Sequence, residues 1–385
     1  MREIYFDNSA TTKMSARASE KMMRVASECY GNPSSLHSVG LKAERALGEA
    51  RGIILSSLGI LRPQRGELVF VSGGTEANNL AIIGTALAKK RKGGEKILIT
   101  EGEHSSVEEC AAYLKGLGFQ ILRVPTKGGE LDIDFIRANA KGAILCSFMH
   151  VNNETGALYD VKSAFEAAKE QSPDCIAHAD CVQSYLKVKF TKKSIGADLI
   201  SLSAHKVNGP KGVGALYISP ELLKTKKIVP ILLGGGQEFG VRSGTENTYG
   251  ICAFGEAVKE HTEHLVSEIE AMRELREYII SRLPSEARVN LPAKCAPHII
   301  NITLPRIKSE TALHALSAEG IFVSSGSACS SNSAHKASRA LVAFGLSEDE
   351  ADSSIRISLC PQNTKDEADA LICSLGEIIK KLARK

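Results

Sequence analysis

The first two-thirds of the chain alternates short apolar runs with segments of helical periodicity. The segments at 78–92 and 161–171 carry apolar residues at helical spacing and predict helices. Strands that alternate with helices are typical of a mainly parallel sheet with helices on both faces. Only the turn around Gly209 and Pro210 separates the last two runs, so this pair can be antiparallel. The seven runs predicted as strands are 67–72, 96–100, 119–125, 142–150, 175–180, 197–203 and 213–218.

The pattern changes in the last third of the chain, which predicts a smaller α+β lobe. A long helical segment spans 255–283, and a final helix begins near Thr364, where Thr364 and Glu367 have the spacing of a capping box. We therefore predict a large domain over 15–255 and a small domain made of 1–14 and 256–385. The remaining predicted elements of the small domain are a helix at 309–320 and strands at 298–305, 321–325 and 354–359.

Composition narrows the class of protein. The 385 residues are 43% hydrophobic and 24% charged, which is typical of a chain with a large core. The formal net charge is only +4 and the basic residues are scattered, so nucleic acid is not expected as a ligand. No apolar run is long enough for a membrane span, and the N-terminus lacks a signal-peptide core, which favours the cytoplasm. The ten cysteines include no CxxC pair, so neither a metal site nor a disulfide framework is expected.

Polar residues capable of catalysis or binding follow several of the predicted strands. In an open α/β sheet, ligands bind outside the carboxyl ends of the strands. Each of these residues alone has an ordinary structural explanation, such as a turn or a hydrogen-bonded histidine. Their arrival at one edge of one sheet is harder to explain in that way. In chain order they are Gly74 and Thr75, His104, Asn152 and Asn153, Asp180 and Gln183, and Ser203, His205 and Lys206.

Pyridoxal 5'-phosphate (PLP) would account for this set. A lysine at the end of a buried strand is costly unless it has a partner, and Lys206 can form a Schiff base with an aldehyde. The pyridine nitrogen of PLP needs a buried carboxylate, which Asp180 offers, and Gln183 suits the phenolic oxygen. His104 offers a flat ring for stacking. The residues predicted to bind the phosphate are Gly74, Thr75, Ser203 and His205.

Two further residues carry candidate chemistry. Cys329 lies in "SSGSACSSNSA", among small polar residues, so we predict an exposed loop with a nucleophilic thiol. The other nine cysteines are predicted as buried small hydrophobic residues. Arg356 lies inside the apolar run "SSIRISL" and needs a carboxylate partner. An amino acid substrate and an internal salt bridge meet that need equally well.

Ordered motifs along nearly the whole chain resemble one family. They include "YFDNSATT", "SGGTEANNLAI", "HVNNETG", "SAHKVNGPKGVGALYI", "RSGTEN" and "SSGSACSS". The chain resembles the NifS- and IscS-like cysteine desulfurases, which are class V aminotransferases of PLP fold type I. That resemblance implies a seven-stranded, mainly parallel sheet flanked by helices, with a smaller α+β domain. It also implies removal of sulfur from L-cysteine, which gives L-alanine and a persulfide on Cys329.

The resemblance assigns further roles and partners. It implies that Asn153 contacts both the cofactor and the substrate carboxylate, which Arg356 also holds. Thr245 would reach the PLP phosphate of a second subunit in a homodimer. The loop from Ser330 to Ser338 would carry the persulfide to an acceptor protein, either an iron–sulfur scaffold or a tRNA-thiolation enzyme. Cys181, Tyr185 and Cys360 stand where the family usually has smaller residues, which leaves the acceptor open.

Two other interpretations remain on the sequence alone. A selenocysteine lyase or another PLP enzyme of the same architecture would keep Lys206 and Asp180 without the same dependence on Cys329. A protein that retains the fold only as a binding module would not need Lys206, Asp180, His104 and Cys329 together.

Overall fold

The computed structural model describes residues 3–88, 95–304, 306–325 and 337–382. Its largest sheet has seven strands in the order β2-β8-β7-β6-β5-β3-β4, which confirms the predicted α/β fold. The strands, numbered in chain order, are β1 (Ile4–Tyr5), β2 (Leu68–Val71), β3 (Lys96–Thr100), β4 (Gln120–Val124), β5 (Ala143–Met149), β6 (Ile176–Asp180), β7 (Leu199–Ser203), β8 (Gly214–Ile218), β9 (Arg288–Val289), β10 (Ile299–Thr303), β11 (Ile321–Phe322), β12 (Ser324–Ser325) and β13 (Ser354–Ser358).

Helices cover the seven-stranded sheet and complete the small lobe. They are α1 (Ala16–Glu28), α2 (Ser38–Ser57), α3 (Gly74–Ala88), α4 (Ser105–Gly116), α5 (Ile133–Asn139), α6 (Val161–Gln171), α7 (Lys192–Ile195), α8 (Pro220–Lys224), α9 (Thr248–Ile280), α10 (Ser309–Ala318), α11 (Arg339–Phe344), α12 (Glu348–Asp352) and α13 (Lys365–Leu382). Helix α6 has the predicted bounds, whereas α9 begins at Thr248 because the Asn247 side chain caps it there. The capping box before α13 is present, with Glu367 accepting from Thr364 N and Thr364 Oγ1 accepting from Glu367 N.

The strand directions explain why apolar runs dominate the large sheet. Strands β3 to β7 pair in parallel with one another, and the central residues of β3, β5, β6 and β7 are buried on both faces, whereas β4 lies at the edge of the sheet and is partly exposed. Strand β8 runs antiparallel to β7 and to β2, as the short turn between β7 and β8 suggested. Separate apolar clusters fill the two faces, one around the stacked rings of Phe148 and Phe165 and the other around Leu80 and Ile97.

The small lobe combines the two ends of the chain. Strands β12, β13, β10 and β9 form an antiparallel sheet, and β1 pairs in parallel with β11. The run predicted as one strand at 321–325 is divided, because Ile321 and Phe322 pair with β1 whereas Ser324 and Ser325 pair with β13. Helix α9 crosses the domain boundary that we predicted at 255, and the division into domains stays a prediction. No helix among the described residues has the length and apolar character needed to span a membrane.

Candidate active site

A cavity of about 280 Å³ lies at the carboxyl ends of the parallel strands. Side chains from the starts of α3 and α4, from the ends of β6 and β7, and from β13 meet around it. This is the position at which open α/β sheets bind ligands. The predicted site residues that line the cavity are Gly74, Thr75, His104, Asn153, Asp180, Gln183, Ser203, His205, Lys206 and Arg356.

Lys206 enters the cavity from a single 3₁₀ turn, Ala204–Lys206, directly after β7. Its Nζ atom donates to the backbone carbonyls of Ser9 and Ala10, at 2.7 Å each. These acceptors belong to the N-terminal segment that follows β1. The amine is therefore held by neutral oxygens that can be exchanged for another partner.

Asp180 is buried at the end of β6 and is held from two sides. Asn78 Nδ2 donates to one carboxylate oxygen at 2.7 Å, and Val182 N donates to the other at 2.9 Å. Asn78 also donates to Ser106 Oγ at 2.9 Å, which ties α3 to α4. Asn78 was missed at the sequence level, although it lies one turn after Gly74 on α3 and so faces the same edge of the sheet.

His104 caps helix α4 and presents its ring to the cavity. Its Nδ1 atom accepts a hydrogen bond from Ser106 N at 3.1 Å. Burial lowers the pKa of His104, and the nearby Lys206 cation lowers it further against the opposing effect of Asp180. An imidazole whose Nδ1 accepts is neutral and carries its proton on Nε2.

Arg356 makes the internal ion pair that the sequence left open and also lines the cavity. Its Nη2 lies 2.8 Å from Asp7 Oδ1, and its Nη1 donates to the carbonyl oxygen of Asn153 at 2.8 Å. The buried Nε atom has no hydrogen-bond partner among the described residues. Asp7 was not singled out from the sequence, because 349 positions separate it from Arg356.

Thr245 and Cys329 are the two remaining predicted site residues. Thr245 is exposed in the loop before α9 and does not line the cavity. Cys329 and Ser330 lie outside the described residues. Ser338, at the end of the predicted loop, caps α11 and donates to Glu154 Oε2 at 2.6 Å. Of the predicted loop from Ser330 to Ser338, only Ala337 and Ser338 lie among the described residues, directly before α11.

Two acids beside the cavity, the buried Glu103 and the partly buried Glu154, were also missed by sequence reasoning. Burial, with a smaller contribution from Asp180, raises the pKa of Glu103 to about 8. Burial also raises the pKa of Glu154 to about 7, although Ser338 and Arg356 act in the opposite direction. Both residues adjoin predicted site residues, His104 and Asn153, and both are neutral or only partly ionised at neutral pH.

Comparison with known proteins identifies the family. The pattern of the aminotransferase class-V family matches residues 4–371. The chain belongs to that family. It is 39% identical to the cysteine desulfurase IscS of Dictyoglomus turgidum over 387 residues, which covers 99% of this chain and 95% of that protein. It is 36% identical to cysteine desulfurase IscS 1 of Archaeoglobus fulgidus, with coverage of 98% and 97%.

Solved structures of class V aminotransferases share the fold over the full length. A NifS-like protein superimposes with a TM-score of 0.91 at 32% identity, covering 99% of this chain and 100% of that chain. A NifS-like protein from Rickettsia africae gives a TM-score of 0.86 at 30% identity, with coverage of 98% and 100%. These relatives confirm the predicted membership in the NifS- and IscS-like group, whose enzymes depend on PLP.

Proposed function

We propose that the protein is a PLP-dependent cysteine desulfurase that uses the cavity above β6 and β7. The observation that carries this proposal is the convergence of Lys206, Asp180, His104 and Arg356 on one cavity. A lysine, a carboxylate, a flat neutral ring and a guanidinium are the groups that PLP and an amino acid substrate require. Relatives of 35–39% identity over nearly the whole chain carry the name cysteine desulfurase, which supports the same conclusion.

The polar atoms around the cavity fit PLP. Ser203 Oγ, Gln183 Oε1 and Ser9 Oγ are buried without hydrogen-bond partners in the part of the chain that the structure describes, and all three residues line the cavity. Buried polar atoms without partners are rare, and a bound ligand explains a group of them. A Cβ atom on Gly74 would approach Val182 Cγ2 to 2.7 Å, so only glycine fits at the start of α3.

These residues divide into the parts that hold the cofactor. The N-terminus of α3, with Gly74 and Thr75, would hold the phosphate together with Ser203 and His205. Asp180 would keep the pyridine nitrogen protonated, and PLP would supply an electron sink for the substrate. The amide of Gln183 donates to Ser9 O at 2.9 Å, and rotation of this amide would present the same donor to the phenolic oxygen. His104 would offer its ring for stacking.

The substrate carboxylate and the protons are handled by other residues. Arg356 and Asn153 bind the carboxylate of L-cysteine, with Asp7 orienting the guanidinium. Lys206, released from Ser9 and Ala10, moves protons at the substrate carbons. The Cys329 thiolate attacks the substrate sulfur, so that L-cysteine and the thiol become L-alanine and a persulfide. Atoms and electrons balance without an external oxidant.

A second copy of the chain is part of this proposal. Leu232, Leu233 and Tyr249 are exposed around Thr245, and Leu233 retains 78% of its accessible area. Exposed apolar side chains in one region mark an interaction surface. Covering them with a second subunit would bring Thr245 to the partner's phosphate site. The sulfur acceptor would be an iron–sulfur scaffold or a thiolation enzyme, in the cytoplasm, where the free thiols of the described cysteines persist.

The test compares the wild type with Cys329→Ser, both loaded with PLP, in the presence of L-cysteine and a thiol reductant. We expect equal amounts of alanine and sulfide from the wild type and neither from the variant. Cys181→Ser is the matched control, because Cys181 is buried in the core and should leave turnover intact. Full activity of Cys329→Ser would exclude Cys329 as the sulfur acceptor and favour a selenocysteine lyase.

A further inference from the structure

Lys187 carries a buried amine outside the site described above. It follows β6 and retains only 6% of its accessible area. Its Nζ atom has no partner among the described residues. Lysines are almost never fully buried unless they are paired, because desolvation of the ammonium is costly. Burial lowers the pKa of Lys187 to about 7, with Lys206 as the next contributor.

Lys187 and Lys206 share a small void. This void of about 10 Å³ is lined by both lysines, and also by Thr12, Val207 and Cys360. It holds about one water molecule. Lys206 also lines the 280 Å³ cavity, so it lies between that cavity and Lys187.

The groups that surround Lys187 are mainly cationic or neutral. Lys206 and Arg356 lower its pKa, and the Cys360 thiol opposes them. His298, before β10, is fully buried, and Lys187 contributes to lowering its pKa as it does for His205. From α9, His261 lines the void, and its Nδ1 lies 2.6 Å from Glu268 Oε2. That carboxylate is engaged by His261, and the Asp7 carboxylate is engaged by Arg356, so no carboxylate among the described residues pairs with the Lys187 amine behind Lys206.

We propose that Lys187 is a positioning residue for the desulfurase reaction, one that acts on Lys206 through the charge of its buried amine. Like charges held close together favour the loss of a proton from each. When Lys187 carries its proton, its charge therefore favours the deprotonated form of the Lys206 nitrogen. In that form Lys206 can bond to the cofactor aldehyde and accept a proton. This inference rests on the proposed function.

The experiment uses the PLP-loaded full-length protein and its Lys187→Met variant. Methionine has a similar length and no charge. The readouts are the pH titration of the cofactor absorbance and the rate at which cofactor-free protein takes up PLP at pH 7. We expect the titration midpoint to rise by roughly one pH unit and uptake to slow several-fold. Lys189→Met, at an exposed position two residues further on, should change neither quantity.

The stability of the Lys187→Met variant distinguishes an effect on Lys206 from a purely structural role of Lys187. The Lys187→Met variant should unfold no earlier than the wild type, because it no longer buries an amine. An unchanged titration midpoint in a folded variant would overturn the proposal. If the Lys187→Met variant does not fold, the same titration of Lys187→Gln tests the proposal, because glutamine also lacks the charge. If the wild type binds PLP but forms no alanine, the proposed desulfurase function is wrong, while the titration of the cofactor absorbance still tests the role of Lys187. If the wild type takes up no PLP, both the proposed function and the role of Lys187 are wrong.

Discussion

Glu103 provides a quantitative test of how the site holds its charges. Its side chain is buried directly before His104. Thr100 Oγ1 and Met149 N donate to Oε1 at 2.8 and 3.0 Å, whereas Oε2 has no partner among the described residues. This carboxyl has a pKa of about 8 in the folded protein and an ordinary value of 4.5 in the unfolded chain. Between these values the folded state binds more protons, so the free energy of unfolding falls as pH rises.

The magnitude follows from those two pKa values. The burial of Glu103 costs about 1 kcal/mol at pH 5 and about 4 kcal/mol at pH 8. Glu103→Gln has nearly the same shape, keeps an oxygen to accept from Thr100 and Met149, and does not ionise. Relative to the wild type, the variant should therefore gain about 3 kcal/mol of stability between pH 5 and pH 8.

The assay is denaturant unfolding of the PLP-loaded proteins at both pH values. The stability difference between the variant and the wild type is measured at each pH. Subtracting the value at pH 5 from the value at pH 8 removes any effect of the amide that does not depend on pH. Glu101→Gln removes a carboxylate from the same loop at a side chain that is only partly buried, and it controls for net charge. Equal stability differences at pH 5 and pH 8 would show that Glu103 is ionised in the folded protein, and the argument from burial would be wrong.

Two further predictions concern the residues at the small sheet. Arg356→Lys cannot contact both Asp7 and Asn153, so the KM for L-cysteine should rise roughly 10- to 100-fold, and an unchanged KM in steady-state kinetics would remove Arg356 from substrate binding. Ser338→Ala should cost about 1–2 kcal/mol, because Ser338 both caps α11 and donates to Glu154. Since that hydrogen bond favours the ionised form of Glu154, the loss measured by denaturant unfolding should be larger at pH 8.5 than at pH 5.5. A pH-independent loss would contradict this.

The part of the site that lies on parallel strands could be predicted from the sequence. Asp180 and Lys206 each follow an apolar run, and parallel strands present their carboxyl ends at one edge of a sheet. That rule requires only the order of strands along the chain. The division of 321–325 between two sheets could not be predicted, because it depends on pairing with Ile4 and Tyr5 at the far end of the chain.

The buried charges were missed for a different reason. A lysine or glutamate in a polar stretch is normally a surface residue, and nothing adjacent in the sequence marks Lys187 or Glu103 as buried. Glu103 is buried against Thr100 and Met149 of the large sheet, whereas Lys187 lies beside Thr12 and Cys360 from the two ends of the chain. The usual preference of lysine and glutamate for the surface gives the wrong prediction at these two positions. A fold can tolerate such an unfavourable buried residue near a functional site.

The N-terminal segment explains why both lobes must be in place before the site exists. The carbonyls of Ser9 and Ala10 hold the Lys206 amine of the large sheet, and Asp7 holds Arg356 of the small sheet. Three positions of one segment therefore orient two basic side chains that come from different sheets. Strand β1, immediately before these positions, is anchored to β11 of the small lobe. Because one continuous stretch of backbone makes all of these contacts, that segment sets the spacing between Lys206 and Arg356. Under the proposed function it would also set the distance between the cofactor aldehyde and the substrate carboxylate.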